Sequence, residues 1–265
     1  MTNSDFLERW KNINFAVIVS TGRTGTEFFS HAVSTLYPNA LCLHEPRPDA
    51  FYLGVERIRN SLADDEVVNK FLKMREPILE ELTRTGKTNY IESNNNLAMI
   101  LPALLTLIPA LKVIHIIRKP ESYIISAMNN VQMNSYTLLS DQDARPRLCA
   151  KDYPNDPFYN KWPNMSQFER LCWHWVKYNR MIEAAASHSK HYCKVLFEDV
   201  FASKDKTALF QILDFLQLGE YAQNEVLSIM ANKKNSSAEK VGDKVFNWDE
   251  NLRSKFETII MSSGI

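Results

Sequence analysis

Two stretches of this chain place an arginine and hydroxyl side chains directly after a short apolar run. The first is Ser20-Thr21-Gly22-Arg23-Thr24-Gly25-Thr26, which follows the run at residues 15–19. The second opens with Arg118-Lys119-Pro120 after Lys112–Ile117 and reaches Ser126 two helical turns later. A turn with two glycines between a strand and a helix gathers backbone N–H groups at a helix N-terminus, an arrangement that holds anions and above all phosphate. An arginine adds a planar fork of donors matched to phosphate or sulfonate oxygens. The same residues also suit an ordinary glycine turn and a surface ion pair, so the spacing names an anion and not a reaction. Between the two stretches, His44 and Glu45 close another short apolar run ahead of Pro46 and Pro48. In an extended chain these neighbours point to opposite sides, so only one of the two faces a shared pocket.

The first loop departs from the nucleoside-triphosphatase pattern G-x-x-x-x-G-K-[ST], in which the lysine reaches the outer phosphates and the hydroxyl holds magnesium. Here Gly25 is followed by Thr26 and Glu27, and the cation, Arg23, lies before it. The loop predicts a phosphate ligand but does not specify magnesium ATP.

The elements that must position these groups are legible in the hydropathy. Residues 15–19 are apolar and β-branched, as in a strand buried on both faces. Phe28, Phe29, Val33 and Leu36 then recur at helical spacing. Further strands are expected at Ala40–His44, at residues 89–92, at Lys112–Ile117 and at residues 194–197. Residues 51–85 predict two helices, residues 97–107 another, and Pro120 suits the first turn of the next. Strands alternating with helices predict a three-layer α/β fold, P-loop-like, with a central parallel sheet and helices on both faces. Residues 166–186 read as a long helix whose stripe of Phe168, Leu171, Trp175 and Tyr178 belongs to a core. His115, flanked by isoleucines in mid-strand, reads as a core histidine. Residues 129–164 lack a sustained period, the mark of a functional or mobile segment or of a plain surface excursion.

Composition bounds the rest. The 265 residues suggest one large domain or two small ones, and a 45% hydrophobic content supports a substantial core. Lys plus Arg equals Asp plus Glu at 31 each, which gives no general argument for nucleic acid or an anionic membrane. Four cysteines without a C-x-x-C pair point to free thiols in a reducing compartment. The start has no signal-peptide pattern, and prolines interrupt the longest apolar stretch, so the expectation is a cytoplasmic protein without a membrane span.

Taken in order, TGRTGT after one buried strand and RKPESYIIS after another resemble the 3′-phosphoadenosine 5′-phosphosulfate (PAPS)-dependent sulfotransferases, on their bacterial or carbohydrate-like side. Weaker echoes are Leu43-His44-Glu45-Pro46, Ile91-Glu92-Ser93-Asn94 and Phe197-Glu198-Asp199-Val200. The resemblance runs from about residue 15 to 217. It implies a single domain over residues 1–265, with segments 51–86 and 129–165 walling an acceptor pocket. It also implies that Gly22, Arg23, Thr24, Gly25, Thr26 and Glu27 grip the 5′-phosphosulfate and that Arg118 and Ser126 grip the 3′-phosphate. Asn235, beside Ser236, would be a late nucleotide contact.

Glu45 is the implied general base, with His44 as its rival, and Arg23 stands where cytosolic members carry lysine. The implied reaction moves a sulfuryl group to a hydroxyl, or to a nitrogen, of a small-molecule acceptor. It leaves adenosine 3′,5′-bisphosphate and needs no metal. Two other readings stay open: a P-loop small-molecule kinase, and a non-catalytic nucleotide-binding protein of the same fold. Oligomeric state is not legible.

Overall fold

The computed structural model describes residues 3–129, 147–231 and 248–262. Contacts between Cα atoms divide the chain into two compact units. The first comprises Met1–Ile117 and Met181–Lys233, and the second Arg118–Arg180 and Lys234–Ile265.

The first unit is a parallel five-stranded sheet with helices on both sides. Its strands are β1 (Asn14–Ser20), β2 (Ala40–His44), β3 (Asn89–Ser93), β4 (Lys112–Ile117) and β5 (Tyr192–Leu196), in spatial order β2-β3-β1-β4-β5. In register, β1 aligns Ala16 with Ile91 of β3, and Ser20 with Ile116 of β4. The chain leaves β1 toward the β2 edge and leaves β4 toward the β5 edge. The topological switch point therefore lies between β1 and β4, where open α/β sheets bind ligands.

The helices of this unit are α1 (Asn3–Trp10), α2 (Thr26–Leu36), α3 (Phe51–Asn60), α4 (Asp64–Met74), α5 (Glu76–Thr85) and α6 (Leu101–Leu107). The long helix α8 (Gln167–Ala186) ends in it, and α9 (Phe197–Phe201), α10 (Thr207–Leu216) and α11 (Gln223–Ala231) follow. On one side of the sheet Ala16, Ile18, Ile91, Ile114, Ile116 and Val195 pack with Phe29 and Val33 of α2 and with Leu209 and Leu213 of α10. On the other, Phe15 stacks on Phe71 of α4 and on Tyr90, with ring centroids 6.3 and 5.1 Å apart.

Strand–helix alternation and the parallel sheet agree with the hydropathy, as do β2 and β4 to the residue. Four details differ. The segment expected to hold two helices holds three, because Pro77 in the first turn of α5 cannot continue α4. Pro102 likewise starts α6 only after a 3₁₀ turn at Asn95–Met99. β5 begins at Tyr192 and stops at Leu196, so Phe197 opens α9 rather than ending a strand. The N-terminal helix α1 had no counterpart in the reading of the sequence.

The second unit contains α7 (Pro120–Asn129), the first part of α8 and α12 (Glu250–Ser262). Its core gathers Tyr123, Ile124, Phe158, Trp162, Leu171, Trp173 and Phe256. Phe168, Leu171 and Tyr178 are buried as expected of the α8 stripe, while Trp175 is half-buried.

Candidate functional site

The loop after β1 is built from the inside outward. Ser20 and Thr24 are fully buried, and Ser20 Oγ accepts from the Gly22 N–H at 3.0 Å and from Thr24 Oγ1 at 2.6 Å. These bonds fold the chain back within four residues. Gly22, Arg23 and Gly25 all take left-handed backbone angles, with φ of 84°, 59° and 73°. For an arginine that conformation costs roughly 1–2 kcal/mol, and backbone strain of this kind clusters at functional sites. Gly25 is required on two counts. Its φ is positive, and a Cβ there would meet Phe201 Cζ at 2.7 Å.

Gly25 also caps α2 without any side-chain hydrogen bond. The first N–H groups of a helix have no intrahelical partners, so this N-terminus is suited to an external anion. Arg23 stands half-buried in the same loop. Among the described residues no group of three or more His, Cys, Asp or Glu side chains is placed to hold a metal ion.

Ser93, the last residue of β3, ties this loop to the end of β2. Its hydroxyl donates to Thr26 O at 2.8 Å, and its carbonyl accepts from the Glu45 N–H at 3.2 Å. Nδ1 of His44 also lies 3.0 Å from Ser93 O. Glu45 is held at φ 43°, another left-handed non-glycine residue. The candidate base and the candidate anion loop thus hang on one serine.

Beneath them lies a buried ion pair that the sequence reading did not single out. Arg75 and Glu92 are both fully buried. Arg75 Nε donates to Glu92 Oε2 and Nη2 to Oε1, each at 2.7 Å, while Nη1 donates to Pro48 O at 2.6 Å. Glu92 also accepts from Tyr90 Oη at 2.6 Å and from Asn94 Nδ2 at 2.9 Å. Burial works against the guanidinium's charge, but hydrogen bonds and the charge of Glu92 outweigh it and leave the Arg75 pKa raised. Burial, then the Glu92 charge, pushes the Tyr90 phenol well above its ordinary value. A carboxylate in a strand buried at all five positions was the available signal, since an ion so placed demands a cation.

Asn96 donates to both Asp49 oxygens, at 3.1 and 3.3 Å, and the Phe51 N–H donates to Asp49 Oδ1 at 3.0 Å. The same segment borders a cavity of about 480 Å³ lined by Pro48, Asp49, Tyr52, Leu53, Glu56, Lys70, Lys73 and Met74.

Of the second anion stretch, the structure gives local geometry. Arg118 Nε donates to Ser122 Oγ at 2.7 Å, and its carbonyl accepts from Trp175 Nε1 at 2.9 Å. Residues 118, 122 and 126 follow at four-residue spacing, which aligns Ser122 and Ser126 along one face of α7. His115 is buried, with Nδ1 2.9 Å from Tyr192 Oη, as expected of a core histidine. Asn235 lies outside the described residues.

The sequence matches no protein-family profile and no curated protein. Solved structures do match. Mouse sulfotransferase SULT7A1 complexed with PAP aligns over 99% of this chain and 90% of its own, at 14% identity and a TM-score of 0.51. The sulfotransferase domain from the curacin biosynthetic pathway aligns over 92% and 90% at 14% identity, with a TM-score of 0.49. A sulfotransferase from Alicyclobacillus acidocaldarius aligns over 94% and 91% at 12% identity and the same TM-score. The chain has the three-layer α/β fold of SULT7A1.

Proposed function

We propose that this chain is a PAPS-dependent sulfotransferase acting on a hydroxyl of a small-molecule acceptor. The observation that carries the reading is the loop at Gly22–Thr26. It is strained at Arg23, closed by buried hydroxyls and followed by an α2 N-terminus whose cap residue, Gly25, brings no side chain to bond it. The fold shared with a sulfotransferase complexed with PAP adds support. Bound at this loop, PAPS supplies a sulfuryl group joined to phosphate through a bridging oxygen.

Arg23 and the N–H groups from Thr24 to Thr26 orient that group and stabilise the charge that gathers on the bridging oxygen as the S–O bond breaks. Gly22 and Gly25 let the backbone approach, and Glu27 adds its N–H in the first turn of α2. Glu45, across Ser93 from the loop, takes the proton of the acceptor hydroxyl as its oxygen bonds to sulfur. His44 stands as the rival base, because a bond from its Nδ1–H to Ser93 O leaves Nε2 to accept a proton. Arg118 and Ser126 take the 3′-phosphate on the strength of the sequence resemblance, with Ser122 orienting the arginine.

The acceptor is assigned to segment 51–86, whose cavity beside Pro48 and Asp49 supports it, and to segment 129–165, of which residues 130–146 lie outside the described ones. No helix among the described residues is long and apolar enough to cross a membrane. The cytoplasmic assignment rests on the composition and on four free cysteines. Residues 1–265 would act together as one catalytic domain.

The test is a thermal-shift comparison of adenosine 3′,5′-bisphosphate with ADP and with magnesium ATP. A ligand at a hundred times its dissociation constant adds roughly 2.7 kcal/mol of stability. Selective stabilisation by the bisphosphate without magnesium is the expected result. Stabilisation by magnesium ATP alone would replace this reading with a small-molecule kinase. No shift with any of the three would favour a non-catalytic protein of the same fold.

A further inference from the structure

We infer that the buried Arg75–Glu92 pair is a positioning device for the segment that carries Glu45, setting that carboxylate against the anion loop. The inference rests on the sulfotransferase reading for its chemistry but on geometry alone for its mechanics. Three of the bonds that fasten segment 45–49 lead to β3 or the turn that follows it. The Glu45 N–H is bonded to Ser93 O. Pro48 O is held by Arg75 Nη1, while Nε and Nη2 of the same guanidinium hold Glu92. The Asp49 carboxylate is held by the side-chain amide of Asn96.

The same residues also reach the anion loop and its strand. Ser93 Oγ is bonded to Thr26 O, and the Asn94 N–H to Ile18 O at 3.0 Å. Residues 92–96 therefore hold the candidate base on one side and the candidate donor site on the other. A shift in this strip moves one with respect to the other.

Stability does not account for the pair. Taking two charges out of water costs about as much as their attraction returns, and well-packed apolar residues often replace such pairs without loss. What an apolar replacement cannot supply is the third arm of Arg75, the 2.6 Å bond to Pro48 O. Gripping both carboxylate oxygens side by side and the carbonyl at once uses the planar fork of a guanidinium, whereas a lysine presents a single nitrogen.

The decisive experiment compares wild type with the triple variant Tyr90→Phe, Arg75→Met, Glu92→Leu, which removes the pair and the phenol that depends on it. Hydrogen–deuterium exchange and melting are read first, because neither needs a donor or an acceptor. The expected result is a midpoint within about 4 °C of wild type with exchange over residues 44–51 faster by about tenfold or more. Exchange over residues 20–26 stays as in wild type. Unchanged protection of 44–51 in a folded variant overturns the inference. Arg75→Lys, which keeps the charge paired and loses the fork, should show the same local loosening. Failure of both variants to fold would make the pair a plain stability element and equally overturn it.

Kinetics then separate positioning from binding. The release of adenosine 3′,5′-bisphosphate from PAPS is followed with 4-nitrophenol as probe acceptor. The expected fall in kcat is about tenfold or more, with bisphosphate affinity by calorimetry within about twofold of wild type. A parallel loss of bisphosphate affinity over 20–26 would count against positioning. Wild-type protein that neither binds the bisphosphate nor releases it from PAPS would defeat the sulfotransferase reading, while the exchange result would still decide the mechanical inference.

Discussion

The two faces of the central sheet are built on opposite plans. The face under α2 and α10 is a continuous apolar layer that includes Ile18, Ile91, Ile114, Ile116, Cys42 and Val195. The face under α4 sets Glu92 and His115 among Phe15, Val17 and Tyr90, and satisfies them with Arg75, Asn94 and Tyr192. Apolar packing is non-directional, and a layer of that kind tolerates small changes of volume. A buried ion pair tolerates almost none, because each oxygen has a partner at a fixed angle. The first face supplies adhesion. The second supplies direction, and it reaches the segment that carries Glu45.

The sharpest way to break this contrast is to remove one partner of the pair. Glu92→Leu alone strands the Arg75 guanidinium and should cost about 3–5 kcal/mol in a urea melt, whereas the triple apolar variant should not. Equal losses would mean that the second face is held by packing after all. Next comes Glu45→Gln, which keeps the shape of the side chain, removes its charge and, on the proposed mechanism, should lower sulfuryl transfer about a hundredfold or more. Transfer at the wild-type rate would remove Glu45 from the mechanism and promote His44.

Gly25→Ala follows, because its Cβ would collide with Phe201 at a positive φ. It should lose roughly 1–3 kcal/mol and most of the thermal shift given by adenosine 3′,5′-bisphosphate. A full ligand shift in this variant would disconnect the loop from the donor.

Raising the pH tests both faces at once. Burial pushes up the Cys42 thiol on the apolar face and, with the Glu92 charge, the Tyr90 phenol on the other. The folded state keeps these groups protonated, so their stabilisation is intact below the unfolded values of 9.0 and 10.0 and is lost as pH rises above them. Each such group adds a slope of about 1.4 kcal/mol per pH unit there. Urea midpoints should therefore be level to about pH 8 and fall by pH 10, and a level profile throughout would mean that neither group is sealed from water. The smallest expected effect is Ile114→Val on the apolar face, about 0.5–1.5 kcal/mol with transfer unchanged.

Much of this was legible in the chain. The run at residues 15–19, the two glycines and the helical recurrence of Phe29 and Val33 specify strand, turn and helix by local pattern. Their periods, and the need for glycine at a left-handed turn, are properties of the backbone itself. The alternation of such units also predicted the parallel sheet. Helix boundaries were less legible at Pro77 and Pro102, where a proline starts a new helix instead of ending a long one.

Partnership was decided only in three dimensions. No periodicity announces that β3 inserts between β2 and β1, yet that order places Ser93 between Glu45 and Thr26. Nor does the sequence pair Arg75 with Glu92, or Asp49 with Asn96. Local sequence encodes which side chains leave water, because burial follows from polarity and spacing. It does not encode which buried group meets which, because that depends on how distant strands are ordered.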